Sequence, residues 1–430
     1  MQKYYFELVR TALDLEEYSV AARYIKAYFD ISKILCNPDD MDPQRRFGLY
    51  YNTLAAMKGA VGNNEFGDWF FAIAEEGISN GAFDSGDPIS QGSYLGCMGE
   101  AYGRVNNYEK QLEVYHKDLD LRKRGYEENP GNYNKNHLIG AYYNVGNGYA
   151  MLGRYQEALP YYRYAKSLVI ETELSSDDRE RALQIDDRIS LYWNLGLSLW
   201  KSKTDYDEAL SCKEEEIKWT IRYKRLKGIG LISKELISEY EGWFKVLCIT
   251  DRSFNSRNVW RFNVFREYIK RIVDDAIDDT DDSINVVVSV NKKKYILETI
   301  NGKSCDEGMI VSDKDIFYGQ ISQGKKQGLG CSRYSGTRSG YRGLWKDDKH
   351  NGYGETNIYT GEWLDGEFDG YGIKEYGGKR MCGLWESGKL VKKYPLFVVN
   401  KKLNAIRESV DMDKLNSYEE KVSKYIENNP

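Results

Sequence analysis

Proline, histidine and paired cysteines are scarce in this chain, and each scarcity excludes a class of protein. Proline supplies 7 of the 430 residues beside 40 glycines, which argues against collagen and proline-rich disorder. The three histidines have no cysteine or carboxylate neighbours at metal-ligand spacing, so we expect no bound metal. The seven cysteines are dispersed without a C-x-x-C pair, which is typical of reduced thiols in the cytoplasm rather than of a disulfide framework.

Long apolar runs are absent as well. No window reaches about 18 uninterrupted apolar residues, which predicts no membrane-spanning helix. The first 20 residues lack the apolar core of a signal peptide, so we expect a cytoplasmic protein. The formal net charge of -5 and the isoelectric point near 5.6 give no argument for a nucleic-acid partner.

Recognisable catalytic motifs are missing too. No G-x-S-x-G nucleophile elbow is present. The run from Gly319 to Lys325 imitates a phosphate loop, but it continues with Lys326 instead of Ser or Thr, and the helix such a loop requires does not follow. The sequence therefore predicts a protein that is not an enzyme, with no catalytic residues and no cofactor. An enzyme with an unrecognised site stays an alternative.

Tyrosine is abundant, with 36 residues, and it marks the most regular stretch, Tyr142–Ala165. Its first part has the 3.6-residue period of one helix face, which carries Tyr142, Val145, Gly146 and Tyr149. After Gly153 interrupts the pattern, a second helix face carries Tyr155, Ala158, Leu159, Tyr162 and Ala165. Large and small residues alternate, so Gly146 and Ala158 leave room for aromatic rings. Such a hairpin needs a similar neighbour to bury its apolar faces.

Similar units recur around Gly99 and Gly196, and weaker copies are indicated near Tyr18–Ile25 and in Gly48–Ser79. These units resemble the tetratricopeptide repeat (TPR) family. The family period is about 34 residues, whereas the glycines here are more widely spaced, which indicates longer helices or inserts such as Arg122–Asn136. The resemblance implies an α-solenoid over residues 1–275. Two or three further helices, at about Leu231–Ile249 and Val259–Ile277, lack the Gly and Tyr pattern and are expected to cap it.

An acidic run, Asp274–Asp282, follows and is interpreted as a solvated helix end and linker, because it lacks the ligand spacing of a calcium loop. Residues 276–316 are predicted to hold this linker and short strands at Ile284–Val290 and Lys294–Thr299, where the apolar period falls to two.

A second repeat begins at Phe317. Its clearest unit puts Tyr359, Gly361 and Trp363 on one strand face and returns through Gly370-Tyr-Gly372, whose missing side chains leave room for the rings. Related units start at Phe317, Tyr341 and Met381. The four units resemble the MORN (membrane occupation and recognition nexus) repeat family and predict a β domain over residues 317–395. Departures from the family pattern at Ile321, Asp348 and Met381 suggest that the outer units are end units.

Residues 396–430 return to a helical pattern, in which Leu415, Val422, Tyr425 and Ile426 can form one apolar stripe. We expect this stripe to pack on the β ribbon or on a partner. The predicted fold class is therefore α+β in separate domains: an N-terminal α-solenoid of TPR-like helical hairpins, an antiparallel β-hairpin (MORN) ribbon and a C-terminal helix.

The resemblance to TPR proteins also implies a site. In that family the first helix of each hairpin lines a concave groove, where asparagines hold an extended peptide backbone, because an amide both donates and accepts. The groove candidates are Asn144, Asn147 and Asn194, with Tyr143 and Trp193 as flanking anchors. The alternatives are that these asparagines are only solvated, or that the chain's own C-terminal helix fills the groove.

The MORN resemblance implies contact either with protein or with anionic lipid headgroups. From Phe317 to Lys393 there are 13 Lys and Arg against 9 Asp and Glu, but they are interspersed, and no basic cluster of four or more appears. We therefore expect a scaffold, adaptor or regulatory subunit that binds a protein partner segment in the solenoid groove and makes a second contact through the ribbon. A peripheral membrane protein that binds anionic lipid is the alternative.

Overall fold

The computed structural model describes residues 9, 11–12, 17–62, 64–275, 284–300 and 302–429. Most of the predicted acidic linker and nearly all of the first 16 residues lie outside this set. The chain divides into two compact units, residues 1–230 and 231–430. The predicted fold class is confirmed: helices to residue 274 are followed by an open antiparallel sheet and then by C-terminal helices.

Helices make up the first unit. In its described part they are α1 (Tyr18–Leu35), α2 (Pro43–Met57), α3 (Asn64–Ser79), α4 (Pro88–Arg104), α5 (Tyr108–Glu128), α6 (Asn132–Met151), α7 (Tyr155–Ile170), α8 (Asp178–Ser202) and α9 (Tyr206–Leu226). Successive helices pack as the hairpins α4–α5, α6–α7 and α8–α9. These hairpins correspond to the units predicted around Gly99, Gly146 and Gly196.

Local sequence explains where these helices begin and end. The side chain of Asp87 accepts hydrogen bonds from the first-turn amides of α4, and Pro88 follows at a position that needs no amide donor. Asp177 and Asp205 cap α8 and α9 in the same way. Gly153 ends α6 with a φ of 72°, a conformation that glycine adopts without strain.

Glycine and tyrosine fit together inside the hairpins. A Cβ on Gly146 would lie 2.6 Å from the ring of Tyr162, and a Cβ on Gly99 would overlap the ring of Tyr115. The two tyrosines are buried. The spacing beyond the family period comes from the helices themselves, since α5 has 21 residues and α6 has 20. Of the two explanations left open by the sequence, longer helices account for most of the Arg122–Asn136 stretch.

The second unit begins with α10 (Ser233–Thr250) and α11 (Phe254–Asp274). The predicted boundary near residue 275 placed these helices with the solenoid, whereas the boundary between the compact units follows Gly230. Packing of α11 against the sheet explains the difference, because Trp260 lies edge-on to the ring of Tyr295, with ring centroids 4.6 Å apart. Helix periodicity alone does not reveal such a contact.

Eleven strands follow in the described residues: β1 (Ile284–Val290), β2 (Lys293–Ile300), β3 (Lys303–Val311), β4 (Asp315–Ser322), β5 (Lys325–Tyr334), β6 (Gly340–Lys346), β7 (Lys349–Thr356), β8 (Tyr359–Leu364), β9 (Glu367–Tyr376), β10 (Lys379–Glu386) and β11 (Lys389–Lys393). They form one sheet in sequence order, and every neighbouring pair is antiparallel. The two predicted short strands are β1 and β2, and the sequence interpretation missed β3. The sheet therefore continues past the Phe317 unit, which is not at an edge.

A row of paired glycines crosses this sheet from β3 to β10: Gly308, Gly319, Gly330, Gly343, Gly354, Gly361, Gly372 and Gly383. Aromatic rings occupy the space that side chains would take there, as Tyr341 does over Gly354 and Tyr359 over Gly372. The indole Nε1 groups of Trp345, Trp363 and Trp385 donate to the carbonyls of Gly330, Gly354 and Gly372 at 3.1–3.2 Å. Each repeat thus packs on its predecessor.

Two helices close the second unit, α12 (Leu396–Arg407) and α13 (Met412–Asn428). Leu415 and Val422 of the predicted stripe are buried, and α13 packs on β4, β5 and β6. Glu419 accepts hydrogen bonds from Arg333 at 3.4 Å and from Arg342 at 3.1 Å. The stripe therefore packs on the sheet, which was one of its two predicted alternatives.

Candidate peptide-binding groove

One groove of about 420 Å³ runs across successive helices of the first unit. We call it the helical groove. It is lined by Tyr51, Lys58, Ser93, Gly96, Cys97, Glu100, Asp118, Arg122, Tyr133, Asn136, His137, Gly140, Ala141, Asn144, Glu180, Leu183, Gln184 and Asp187. Apart from Asp118 and Arg122 on α5, these residues lie on or just after α2, α4, α6 and α8, which are alternate helices.

Helix α6 supplies one continuous face to the helical groove. Tyr133, Asn136, Gly140 and Asn144 follow one another at steps of three or four residues, which places them on the same side of the helix. The side chains of Asn136 and Asn144 make no hydrogen bond within the described part of the chain. Two amides are therefore available in the groove to donate to and accept from a bound backbone.

Of the five predicted site residues, only Asn144 lines the helical groove. The Asn147 amide oxygen accepts a hydrogen bond from the Tyr162 hydroxyl at 2.6 Å. The Asn194 amide nitrogen donates to the Tyr143 hydroxyl and to the Ser190 carbonyl, both at 2.9 Å. The hydrogen-bonding groups of Asn147, Asn194 and Tyr143 thus join helices within the unit.

Trp193, the second predicted anchor, is 43% exposed on α8 but is not among the residues that line the helical groove. The ammonium group of Lys213 lies 4.8 Å from its ring centroid. A different aromatic residue reaches the groove: Tyr133 is 67% exposed and contacts the ring of His137 edge-on, with centroids 4.5 Å apart.

A buried ion pair forms part of the groove floor. Arg122 Nε donates to the Asp118 carboxylate at 2.8 Å, and Arg122 Nη2 donates to the Ser93 hydroxyl at 3.1 Å. Burial raises the pKa of Asp118 to about 6 against the opposing charge of Arg122. Burial, helped by the Arg122 charge, lowers the pKa of His137 to about 4, so this imidazole is neutral at pH 7.

The remaining charges leave the groove acidic. Lys58 pairs with Glu100 at 2.8 Å, so both cations of the lining are matched by carboxylates. The two other carboxylates of the lining belong to Glu180 and Asp187. Glu180 accepts a hydrogen bond from the Ser175 hydroxyl, whereas Asp187 makes no ion pair or hydrogen bond to the described residues. Desolvation by the surrounding protein, together with the negative charge of Asp186, raises the pKa of Asp187.

Two glycines of the groove have no packing role. Beside Gly96 on α4 and Gly140 on α6, no described atom outside the nearby backbone of the same helix lies within 4 Å of the position that a Cβ would occupy. A glycine inside a helix costs about 0.5–1 kcal/mol relative to alanine. Unlike Gly99 and Gly146, these two leave bare backbone that a ligand can approach closely.

Helix α6, on which the sequence placed the peptide site, borders the helical groove, although only Asn144 of the five predicted residues lines it. The signal for Asn136 and Gly140 was present, because Asn136 lies about two helical turns before Asn144 and Gly140 lies about one turn before it. The residues from α2 and α5 carried no such signal, since only the tertiary packing brings them to the groove.

The described residues show neither a cluster of three His, Cys, Asp or Glu side chains close enough to hold a metal ion nor a helix long and apolar enough to cross a membrane. All seven cysteines are free thiols. No known family model matches the chain, and no curated protein matches it. Among solved structures, the crystal structure of BtubC (BKLC) from P. vanneervenii is similar, with 14% identity, a TM-score of 0.36, and coverage of 67% of this chain and 99% of that one. A score this low supports no inference about function.

Proposed function

We propose that this protein is a non-enzymatic scaffold, adaptor or regulatory subunit that holds an extended segment of a partner protein in the helical groove. Two open glycines carry the proposal. Gly96 and Gly140 weaken their helices without making room for any side chain of the unit, and both border the same groove. Bare backbone at these points allows the main chain of a bound segment to come close.

The side chains beside these glycines support a peptide as the ligand. Asn136 and Asn144 offer two amides that the fold does not use, and each amide can bond both to a carbonyl and to an N–H group of an extended chain. Tyr133 adds an exposed aromatic surface at the same face. These groups suit a segment that presents its backbone along α6.

The charge of the groove favours a basic segment. Four carboxylates face two cations, and the cations are already paired, so Asp187 is available to a lysine or arginine of the partner. Tyr133 can in addition contact a guanidinium group through its ring face. The TPR resemblance of the helical hairpins agrees with this mode of binding.

The second unit contributes another contact in this proposal. Its row of glycines and stacked rings agrees with the MORN resemblance, and the exposed Tyr376 and Phe397 offer apolar surface to a protein. Anionic lipid remains the weaker candidate for this surface, because Arg333 and Arg342 are already engaged by Glu355 and Glu419. A cytoplasmic location is part of the proposal and agrees with the free thiols.

Binding of a peptide library to the full chain tests this function. Extended segments of about a dozen residues, with and without Lys or Arg, are screened by fluorescence anisotropy at low and high salt. We expect basic segments to bind best, with an affinity that falls as salt screens the groove carboxylates. Asp187→Asn is expected to weaken the best segment about two- to fivefold, because Asp187 is exposed and an exposed ion pair contributes roughly 0.2–1 kcal/mol.

Glu127→Gln is the control, because Glu127 is exposed on α5 of the same unit and does not line the groove. It should leave binding unchanged. If no segment binds, or if both variants weaken binding equally, the helical groove is not the peptide site. Flotation with vesicles that contain or lack anionic lipid checks the alternative: salt-sensitive binding to anionic vesicles, together with no peptide binding, would favour the membrane.

A further inference from the structure

The first strand of the sheet in the second unit has an outer edge that pairs with no strand among the described residues. Strand β1 pairs with β2 on one side only, and no other described strand lies beside it. No described backbone or side chain bonds to the outward groups of Asn285, Val287 or Ser289. An exposed strand edge is a template for pairing with another chain unless it is blocked.

The hairpin turn determines which backbone groups face outward. Asn291 and Lys292 form a two-residue turn with φ values of 50° and 63°, and Val290 pairs with Lys293. In such a hairpin the residues that flank the turn exchange both of their hydrogen bonds. Alternate residues of β1, counted back from Val290, therefore bond to β2. The residues between them, including Val287, direct their N–H and C=O groups to the outer edge.

The sequence of β1 is self-complementary about Val287. Apolar residues at 284, 286, 288 and 290 alternate with Asn285 and Ser289, which stand at equal distances from the centre. If two copies pair in antiparallel fashion with Val287 opposite Val287, each Asn285 lies opposite a Ser289. The three outward residues then form three hydrogen-bonded pairs, which is the antiparallel pattern. A valine side chain 44% exposed at the centre becomes covered.

Charge distinguishes this edge from the opposite one. Strand β1 contains no charged residue and no proline, whereas Lys389, Lys392 and Lys393 occupy three of the five positions of β11. Lysines protect an edge, since two lysine-rich strands repel each other. Only the β1 edge can meet its own copy without like charges facing each other.

We infer that β1 is a homodimerisation edge, at which two copies of this chain join their sheets through antiparallel pairing centred on Val287. A seven-residue strand is only about 24 Å long, so the contact is small beside the roughly 1,200–2,000 Å² of a stable interface. We therefore expect a weak dimer that dissociates on dilution. This inference is independent of peptide binding in the helical groove.

Sedimentation equilibrium of the full chain over about 5–500 µM, the range in which weak contacts of this size are populated, tests the inference. We expect the wild type to shift from monomer to dimer. Val287→Lys places two ammonium groups face to face and should lower the association constant at least about tenfold. Val391→Lys, at an exposed valine of the opposite edge strand, should behave as the wild type does. A wild type that stays monomeric throughout, or equal association of the two variants, would overturn the inference.

A second measurement tests the register and does not depend on the lysine variant. Under mild oxidation Val287→Cys should form a disulfide-linked dimer through the introduced thiols, identified by peptide mass mapping, whereas Val391→Cys should not. Circular dichroism establishes that each variant is folded. Equal cross-linking at both positions, or discovery of a foreign strand on β1 while the chain remains monomeric, would also overturn self-pairing.

Discussion

The ring of Tyr162 on α7 occupies the place where a side chain of Gly146 on α6 would begin, with a Cβ only 2.6 Å from the ring. Gly146→Ala should therefore force apart a hairpin whose tyrosine is fully buried. We expect a loss of about 1–3 kcal/mol of unfolding free energy, the usual cost of overpacking, measured by urea denaturation. Gly140→Ala on the same helix meets no described atom outside the nearby helix backbone and should stabilise by about 0.5–1 kcal/mol. Equal effects would contradict the packing argument.

The asparagines of the predicted site separate into two roles. Asn194→Ala removes a hydrogen bond to Tyr143 across helices and should cost about 1 kcal/mol of stability. Asn144→Ala removes no internal bond, so its stability should stay within about 0.5 kcal/mol of the wild type while its peptide affinity falls. Thermal denaturation and anisotropy, performed on both variants, distinguish the roles. The opposite pattern would return Asn194 to the binding site.

His350 should make the sheet sensitive to acid. Its ring stacks on Tyr341 with centroids 3.7 Å apart. Burial, together with the charge of Lys326, lowers its pKa from 6.5 to about 4. Because the folded-state pKa is the lower one, the unfolded state takes up the proton first, and stability present above pH 6.5 is lost as the pH falls toward 4. The difference corresponds to about 3 kcal/mol.

His350→Phe retains an aromatic ring and removes the titration. Hydrogen exchange of β6–β8 measured from pH 7 to pH 4.5, after correction for the intrinsic exchange rate, should show acid-induced loss of protection in the wild type and a flatter profile in the variant. If the two profiles are parallel, the imidazole is not the source of the acid sensitivity.

Docking of α13 should protect a thiol. Cys331 is 4% exposed beneath Val410, Leu415 and Tyr418, and burial raises the pKa of its thiol to about 12. Leu415→Asp places a charge in this core and should release the helix. Alkylation of Cys331, followed by mass spectrometry, should then accelerate more than about tenfold. Lys424→Asp, at an exposed position of α13, should leave the rate low.

Periodicity predicted the parts of this fold that depend on local pattern. The change from a 3.6-residue to a two-residue period correctly separated helices from strands. The alternation of large and small residues predicted that Gly146 leaves room for an aromatic ring, and the structure shows that this ring belongs to Tyr162. The pattern could not show that α11 belongs to the second unit, because the contact of Trp260 with Tyr295 joins residues that are not neighbours in sequence. It also missed β3, whose apolar residues are consecutive at Met309 and Ile310.

The candidate site was only partly predictable for the same reason. Asn144 was found because it lies on a regular helix face, whereas Asn147 and Asn194 form internal hydrogen bonds that the sequence does not reveal. The acidic character of the groove depends on Asp187 remaining unpaired while Asp118 meets Arg122, and such pairing is decided by tertiary packing.

Filling the groove tests the central claim most directly. Gly140→Leu adds a side chain whose Cβ meets no described atom within 4 Å outside the nearby backbone of its own helix, and it improves helix propensity. We therefore expect a folded variant whose groove is blocked. Gly242→Leu is the matched control, at an exposed helical glycine of the second unit with equally open surroundings. In anisotropy titrations with the best basic segment, we predict at least a tenfold loss of affinity for Gly140→Leu, since the added side chain occupies the peptide's path, and none for Gly242→Leu. Unchanged affinity of a folded Gly140→Leu variant would contradict the account.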